Sequence, residues 1–204
     1  MIPVYLDNFR FFGEYYRGIK TIMTIHNLKF QGVWDVKTVQ AITGLSDYYF
    51  TADKLEAYKD ANFLKGGIVF ADAVTTVSST YAEEIKTDFY GEHLNGLLNA
   101  RSKDLRGIVN GIDYNEYNPQ TDQYIIRKYN ADNFRKEKIK NKRDLQKQLG
   151  LEENDKKMMI GIVSRLTDQK GLDLIQCVMD DICSDNIQLV VLGTGEEREY
   201  VQTF

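Results

Sequence analysis

Apolar residues in this chain follow two periods. Short β-branched runs at residues 18–25 (GIKTIMTI), 73–77 (AVTTV), 105–109, 158–163 and 187–192 (IQLVVL) predict strands. Between them, Phe63, Leu64, Ile68 and Ala71 fall on one face of a predicted helix over 64–73. Leu172, Ile175, Val178, Met179 and Ile182 also recur at helical spacing. Strand, helix, strand over 158–192 with short loops predicts a right-handed parallel βαβ unit, so the fold class is α/β. A doubly wound domain needs several such units. This one is expected to be incomplete, because the sequence ends at Phe204 within the next predicted helix.

Polar punctuation divides the pattern. Ser78, Ser79 and Thr80 offer N-caps for a helix through Lys86, and Thr80 with Glu83 has capping-box spacing. Asn110-Gly111 marks a turn. Residues 119–133 open with Pro119 and are polar, which places a hinge there, between a first domain over 1–118 and a second over 119–204. A charged helix over 134–149 ends on Gly150 with Leu151 behind it, the spacing of a Schellman motif. Its lysines and arginines suggest either an anion-binding face or a solvated one. Glu137, Asp144, Glu152 and Glu153 dilute the charge and favour the solvated face.

Composition narrows the function classes. A chain of 204 residues, 43% hydrophobic, has enough apolar content for a core. A net charge of -4 gives no reason to expect nucleic acid or an anionic membrane as partner. Runs such as 187–192 are too short to span a bilayer, and the N-terminus lacks a basic region before an apolar one, so a cytoplasmic protein is expected. Cys177 and Cys183 have no nearby His to make a metal set and read as buried, reduced thiols.

In open parallel sheets, ligands bind beyond the carboxyl ends of strands. Four segments place polar groups there: His26 and Asn27, Asn110, Arg165 and Lys170, and Gly193, Thr194, Gly195 and Glu196. Arg165 can fork two phosphate oxygens, Lys170 adds a mobile charge, and Gly171 permits close approach at a helix start. The plain alternative is two surface cations. His26 reads either as a structural hydrogen-bonder or as a group beside a reacting carbon, with Asn27 and Gln31 as sugar-type hydrogen-bonders in the same loop. Trp34, Tyr48 and Tyr49 suit sugar stacking or, more simply, a core. No Walker loop, no Gly-x-Gly-x-x-Gly and no Asp-x-Asp is present, so neither P-loop chemistry nor a metal–diphosphate clamp of that type is indicated.

The segments TIHNLKFQG (24–32), FLKGGIVFADAVTTVSSTYAEEI (63–85), YGEHLNGLLNARSKDLRGIVNGIDYNEYNPQTD (90–122), GIVSRLTDQKGLDL (161–174) and LVVLGTGEEREY (189–200) together resemble the bacterial glycogen synthases and the starch synthases. The resemblance implies a GT-B fold, with two Rossmann-like domains facing across a cleft. It also implies retaining transfer of glucose from ADP-glucose to the non-reducing end of an α-1,4-glucan, with no metal and no cofactor. His26 would then sit by the transferred glucose and Asn110 by the sugar region. Arg165 and Lys170 would hold the donor diphosphate as catalytic groups, and Gly193 to Gly195 would lie near the nucleotide. The family's Lys-x-Gly-Gly-Leu loop and its later acidic and Gly-rich segments are absent. Tyr117 stands where Trp is expected. An internal fragment with both domains incomplete, and with little transfer activity of its own, is therefore expected. Other readings are a non-catalytic glucan- or nucleotide-binding module, or another sugar-nucleotide transferase.

Overall fold

The computed structural model describes residues 1–184 and 186–195. It forms two compact units, Met1–Gly111 and Ile112–Phe204.

In chain order the first unit contains α1 (Ile2–Arg10), α2 (Glu14–Arg17), β1 (Ile22–Ile25), β2 (Val33–Asp35), α3 (Val36–Thr43), β3 (Glu56–Ala57), β4 (Asp60–Asn62), α4 (Phe63–Phe70), β5 (Ala73–Thr76), α5 (Ser79–Glu84), α6 (Asn95–Ala100) and β6 (Leu105–Gly107). Strands β1, β5 and β6 pair in parallel in that order, with β5 central. A small antiparallel sheet, β2-β4-β3, is inserted between β1 and α4. The sequence pattern misses this insertion, because its strands are two or three residues long.

The main core joins Ile25, Val74 and Leu105 of the parallel sheet to Leu64 and Ile68 of α4, Ala82 of α5 and Leu98 of α6. A second cluster packs Val4, Leu45, Tyr49 and Leu55. Residues 18–25 read as a buried strand, but burial alternates along β1. Ile25 is buried, while Ile22 and Thr24 are exposed. Thr24 instead meets Thr75 hydroxyl to hydroxyl at 2.9 Å on the open face of the sheet.

Helix ends are closed by side chains. Asn62 caps α4 through the Lys65 amide. At the other end of α4, Arg101 donates to the carbonyls of Ile68, Val69 and Ala71, which satisfies acceptors the helix cannot use itself. Helix α5 is capped by Ser78, whose hydroxyl accepts from the Tyr81 amide. The Thr80–Glu83 box does not form, because Thr80 already lies within the helix.

Asp72 is the main ionic junction of this unit. Its carboxylate accepts from Lys20 at 2.9 Å, the Thr21 amide at 2.9 Å and Arg10 at 3.2 Å. It thereby ties α1 to the starts of β1 and β5.

The second unit contains α7 (Phe134–Gln148), β7 (Met158–Val163), α8 (Leu172–Cys177), α9 (Met179–Ser184) and β8 (Ile187–Leu192), with β7 and β8 parallel in full register. Helix α7 ends as the sequence predicts. Gly150 takes φ +67°, its amide bonds the Lys147 carbonyl, and the Leu151 amide reaches back to Gln146, which completes a Schellman motif. The helix expected over Leu172 to Ile182 is broken at Val178. Asp180 and Asp181 fall in the first turn of α9, where acids suit a helix start.

A buried amide pair welds α7 to β8. Gln146, fully buried, donates to the Gln188 side chain at 2.6 Å and to the Asn154 carbonyl, and accepts from the Asn154 amide. Gln188 donates on to the Glu152 carbonyl. The remaining faces of α7 and the strands border an apolar hollow of about 580 Å³ lined by residues such as Ile139, Leu145, Met159 and Val190.

Cys177 is a free thiol and is exposed, against the burial expected from its amphipathic segment. The Cys183 side chain lies outside what the structure describes.

Two outcomes follow from these networks. Hydrogen bonds from Lys20, the Thr21 amide and Arg10 hold the Asp72 carboxyl well below the usual carboxylate range. A carboxyl depressed on folding stabilises above its unfolded pKa of about 3.9 and loses that contribution as pH falls through and below it. Asp72→Asn is therefore expected to lower unfolding stability by about 1–2 kcal/mol at pH 7, with the gap to the parent closing below about pH 4 in urea titrations. Gln146→Leu, which leaves the Asn154 amide and the Gln188 oxygen unpaired in the interior, is expected to cost about 1–3 kcal/mol in the same assay.

Candidate functional site

In the second unit, parallel pairing sets the carboxyl ends of β7 and β8 side by side. Beyond them the two loops bond to each other. The Ser164 amide donates to the Leu192 carbonyl at 3.1 Å, and the Leu166 amide to the Thr194 carbonyl at 2.9 Å. The loops run so close that a Cβ at Gly193 would collide with the Ser164 carbonyl oxygen, and one at Gly195 with that of Leu166. Both glycines are thus required by the protein's own backbone, before any ligand is considered. Buried Leu166 anchors the seal from below.

This seal presents Arg165, whose neighbours Ser164 and Leu166 both donate across it. The chain then turns through a short 3₁₀ segment, Asp168–Lys170, which ends on Gly171 at φ +66°. Fully buried Leu172 follows and pins the start of α8. Arg165 and Lys170 are both exposed, and neither side chain has a hydrogen-bond or ion-pair partner among the described residues. The structure thus brings Arg165, Lys170, Gly193, Thr194 and Gly195 to one strand edge. Glu196 lies outside the described residues.

In the first unit, His26 and Asn27 leave β1, and Asn110 leaves the segment after β6. Since β1, β5 and β6 are parallel, both positions lie at one carboxyl edge, with β5 between them. His26 is exposed and has no hydrogen-bond partner among the described residues, and Asn110 is exposed. Asn27 accepts from the Lys29 amide at 3.0 Å and so closes a local turn.

The loop carrying His26 is held from three sides. The Leu28 amide donates to the Tyr81 hydroxyl at 3.2 Å. The carbonyls of Gln31 and Gly32 accept from the Leu64 and Phe63 amides at the start of α4. The Gln31 side chain accepts from Asn62 at 2.5 Å and donates to the Glu92 carbonyl at 2.8 Å. Gln31, read from sequence as a sugar-type hydrogen-bonder, is therefore spent on the scaffold. Tyr81 supports the loop without any sequence signal, because it lies 53 residues away.

The aromatic residues near the loop divide. Tyr49 is core, and its hydroxyl bonds Asp7. Tyr48 and Trp34 are exposed, but the Lys54 ammonium sits 3.5 Å from the Tyr48 ring centroid and covers one face. Among the described residues, no group of three His, Cys, Asp or Glu stands close enough to hold a metal ion. Among the same residues, no helix is long and apolar enough to cross a membrane.

Residues 1–100 match the family model for the starch synthase catalytic domain. The chain is 69% identical over 198 residues to a glycogen synthase of Lachnospira eligens, covering 97% of this chain and 41% of that protein. It is 52% identical to a glycogen synthase of Thermotoga petrophila, with 97% and 40% covered. It thus spans about two fifths of the length of these curated relatives. Among solved structures it matches the catalytic domain of starch synthase IV from Arabidopsis thaliana bound to ADP and acarbose, with a TM-score of 0.87, 32% identity, and 99% of this chain against 41% of that one covered. The chain belongs to the glycogen and starch synthase family and carries parts of its GT-B type of α/β fold.

Proposed function

We propose that this chain supplies part of a retaining glucosyltransferase that moves glucose from ADP-glucose to the non-reducing end of an α-1,4-glucan. In this reading residues 1–118 form the acceptor-side part and residues 119–204 the hinge and the nucleotide-sugar part, and the protein works in the cytoplasm. The observation that carries the reading is the pair Arg165 and Lys170. Both cations stand on a loop locked in place by backbone bonds, and neither is neutralised by the protein among the described residues.

Each residue has a distinct chemical task. Arg165, with its planar fork, pairs two oxygens of a diphosphate, while Lys170 supplies a point charge. As the bond between glucose and diphosphate breaks, negative charge gathers on the departing oxygens. Fixed cations there lower the barrier without any metal step. Gly193, Thr194 and Gly195 present backbone at the same edge, beside the nucleotide. Within the first unit, His26 and Asn110 are assigned to contact with a sugar, and Asn27 shapes the loop. The 3₁₀ turn that carries Lys170 is one short segment away from Arg165, so both reach one ligand. The starch synthase matched above was solved with ADP and acarbose, a nucleotide and a carbohydrate, which supports a donor and a glucan as the ligands.

The test is ADP binding by calorimetry at fixed ionic strength. Arg165→Ala and Lys170→Ala are each expected to weaken ADP binding roughly 10- to 100-fold, from the loss of one charged hydrogen-bond set. Unchanged affinity in both variants would overturn the diphosphate assignment. Competition between ADP-glucose and UDP-glucose in the longer synthase that carries these residues then reads the choice of base.

A further inference from the structure

Among the described residues, non-glycine positions with positive φ occur as two adjacent pairs: Tyr58 (55°) with Lys59 (75°), and Glu92 (45°) with His93 (65°). The first pair is the tip of the β3–β4 hairpin, a two-residue turn in which Asn-Gly is the unstrained choice. Here a bulky Tyr holds the left-handed conformation at an energetic cost, and the Glu56 carboxylate closes the turn by accepting from the Lys59 amide at 2.6 Å. The second pair lies in the loop before α6.

The two strained turns are 34 residues apart by number but meet in space. The Tyr58 and His93 rings stand edge to face, with centroids 5.7 Å apart. Together with Glu56 and Lys65 they line a hollow of about 360 Å³, floored by Leu94 and Leu97. That volume lies within the range of small-molecule sites, about 300–1,000 Å³. Tyr58 is 78% exposed, so its ring gains little from the core in return for its strain.

The chemistry of the lining selects the ligand. Lys65 is the cation in the hollow, but its ammonium is already bonded to the carbonyls of Ala52 and Glu56, and the Glu56 carboxylate stands in the same wall. The Glu56 carboxylate thus opposes the Lys65 charge within the same wall, and the hollow offers an anion no excess of positive charge. An open aromatic face beside an imidazole, a carboxylate and an apolar floor suits a neutral polyhydroxylated ring, which stacks its C–H face and hydrogen-bonds at its rim. The hollow also connects to the His26 loop, because the Glu92 carbonyl in the strained pair is the acceptor of Gln31.

We propose that this hollow is a second carbohydrate site that holds an α-1,4-glucan chain outside the His26 edge, with Tyr58 as its stacking platform. The identity of the sugar polymer rests on the function proposed above; the stacking site does not. Tyr58 and His93 hold their backbone strain in exchange for presenting rings to a sugar.

The test uses Tyr58→Gly, which relaxes the turn and removes the ring, with Tyr58→Asn as a second residue at ease at positive φ and Tyr58→Phe as a ring-preserving control. Binding of maltoheptaose is measured by calorimetry alongside melting temperature and ADP affinity. Tyr58→Gly and Tyr58→Asn are expected to melt no lower than the parent and to bind maltoheptaose roughly tenfold more weakly, with Tyr58→Phe close to the parent. ADP affinity is expected to stay unchanged in all three. Parent-like maltoheptaose affinity in Tyr58→Gly and Tyr58→Asn would overturn the site, and so would a parent that binds no maltoheptaose. A lower melting temperature in both would overturn the strain argument and with it the proposal. If the parent binds maltoheptaose through Tyr58 but binds no ADP, the glucosyltransferase reading fails while the sugar site stands.

Discussion

The second unit depends on a backbone seal, the pair of hydrogen bonds that joins the loop after β7 to the loop after β8. Two parallel strands end together, and ordinarily their loops diverge. Here the Ser164 and Leu166 amides continue the ladder past the strands by bonding the Leu192 and Thr194 carbonyls. That continuation is possible only where no Cβ intervenes, so Gly193 and Gly195 are dictated by the packing of backbone on backbone. The consequence reaches the chemistry. Arg165 sits between the two bonded amides, so its Cα is fixed while its side chain remains in solvent. A rigid root with a free charged tip is what preorganised electrostatic binding needs, since little backbone order remains to be acquired when an anion arrives.

The first unit solves the same problem by other means. Its His26 loop does not extend a ladder. It is fixed instead by closing the N-terminus of α4, whose first amides take the Gln31 and Gly32 carbonyls as acceptors while Asn62 caps the helix and also holds the Gln31 side chain. Helix termination and loop placement are thus one network. Deleting any member exposes an unpaired group elsewhere, which is why polar residues such as Asn62 are buried at this junction.

Much of this was legible in the sequence where the signal is local. The strands at 158–163 and 187–192 and the Schellman end at Gly150 rest on apolar runs and on one residue's conformational freedom, both of which act within a few positions. The grouping of the candidate residues within each unit was legible because strands of a parallel sheet end on one edge. What stayed hidden was set by distance or by brevity. Gln146 and Gln188 carry no local signal of burial, and only the folded chain pairs them in the interior. Gln31 read as a ligand contact, because nothing local reveals Asn62 and Glu92 beside it. Cys177 read as a buried, reduced thiol within an amphipathic segment, yet it is exposed at the last position of α8. The β3–β4 hairpin carries no Asn-Gly, so its turn gave no signal at all.

The use of arginine across the molecule bears on the same question. Arg10, Arg101, Arg106 and Arg143 are all committed, to the Ile19 carbonyl and Asp72, to the end of α4, to the Lys103 and Leu105 carbonyls, and to Asp155. Each of these contacts fixes a helix end, a strand start or a loop. Arg165 has the same donors, but its fold position needs nothing from them, because the seal already holds the loop through main-chain atoms. A guanidinium freed from structural duty keeps its full hydrogen-bonding capacity for something that arrives from solution. The acidic side chain nearest in sequence, Asp168, lies in the 3₁₀ turn and accepts from the Gln169 amide at 2.7 Å. The loop therefore separates its charges by function: the carboxylate shapes the turn, and the cations are left to meet an anion.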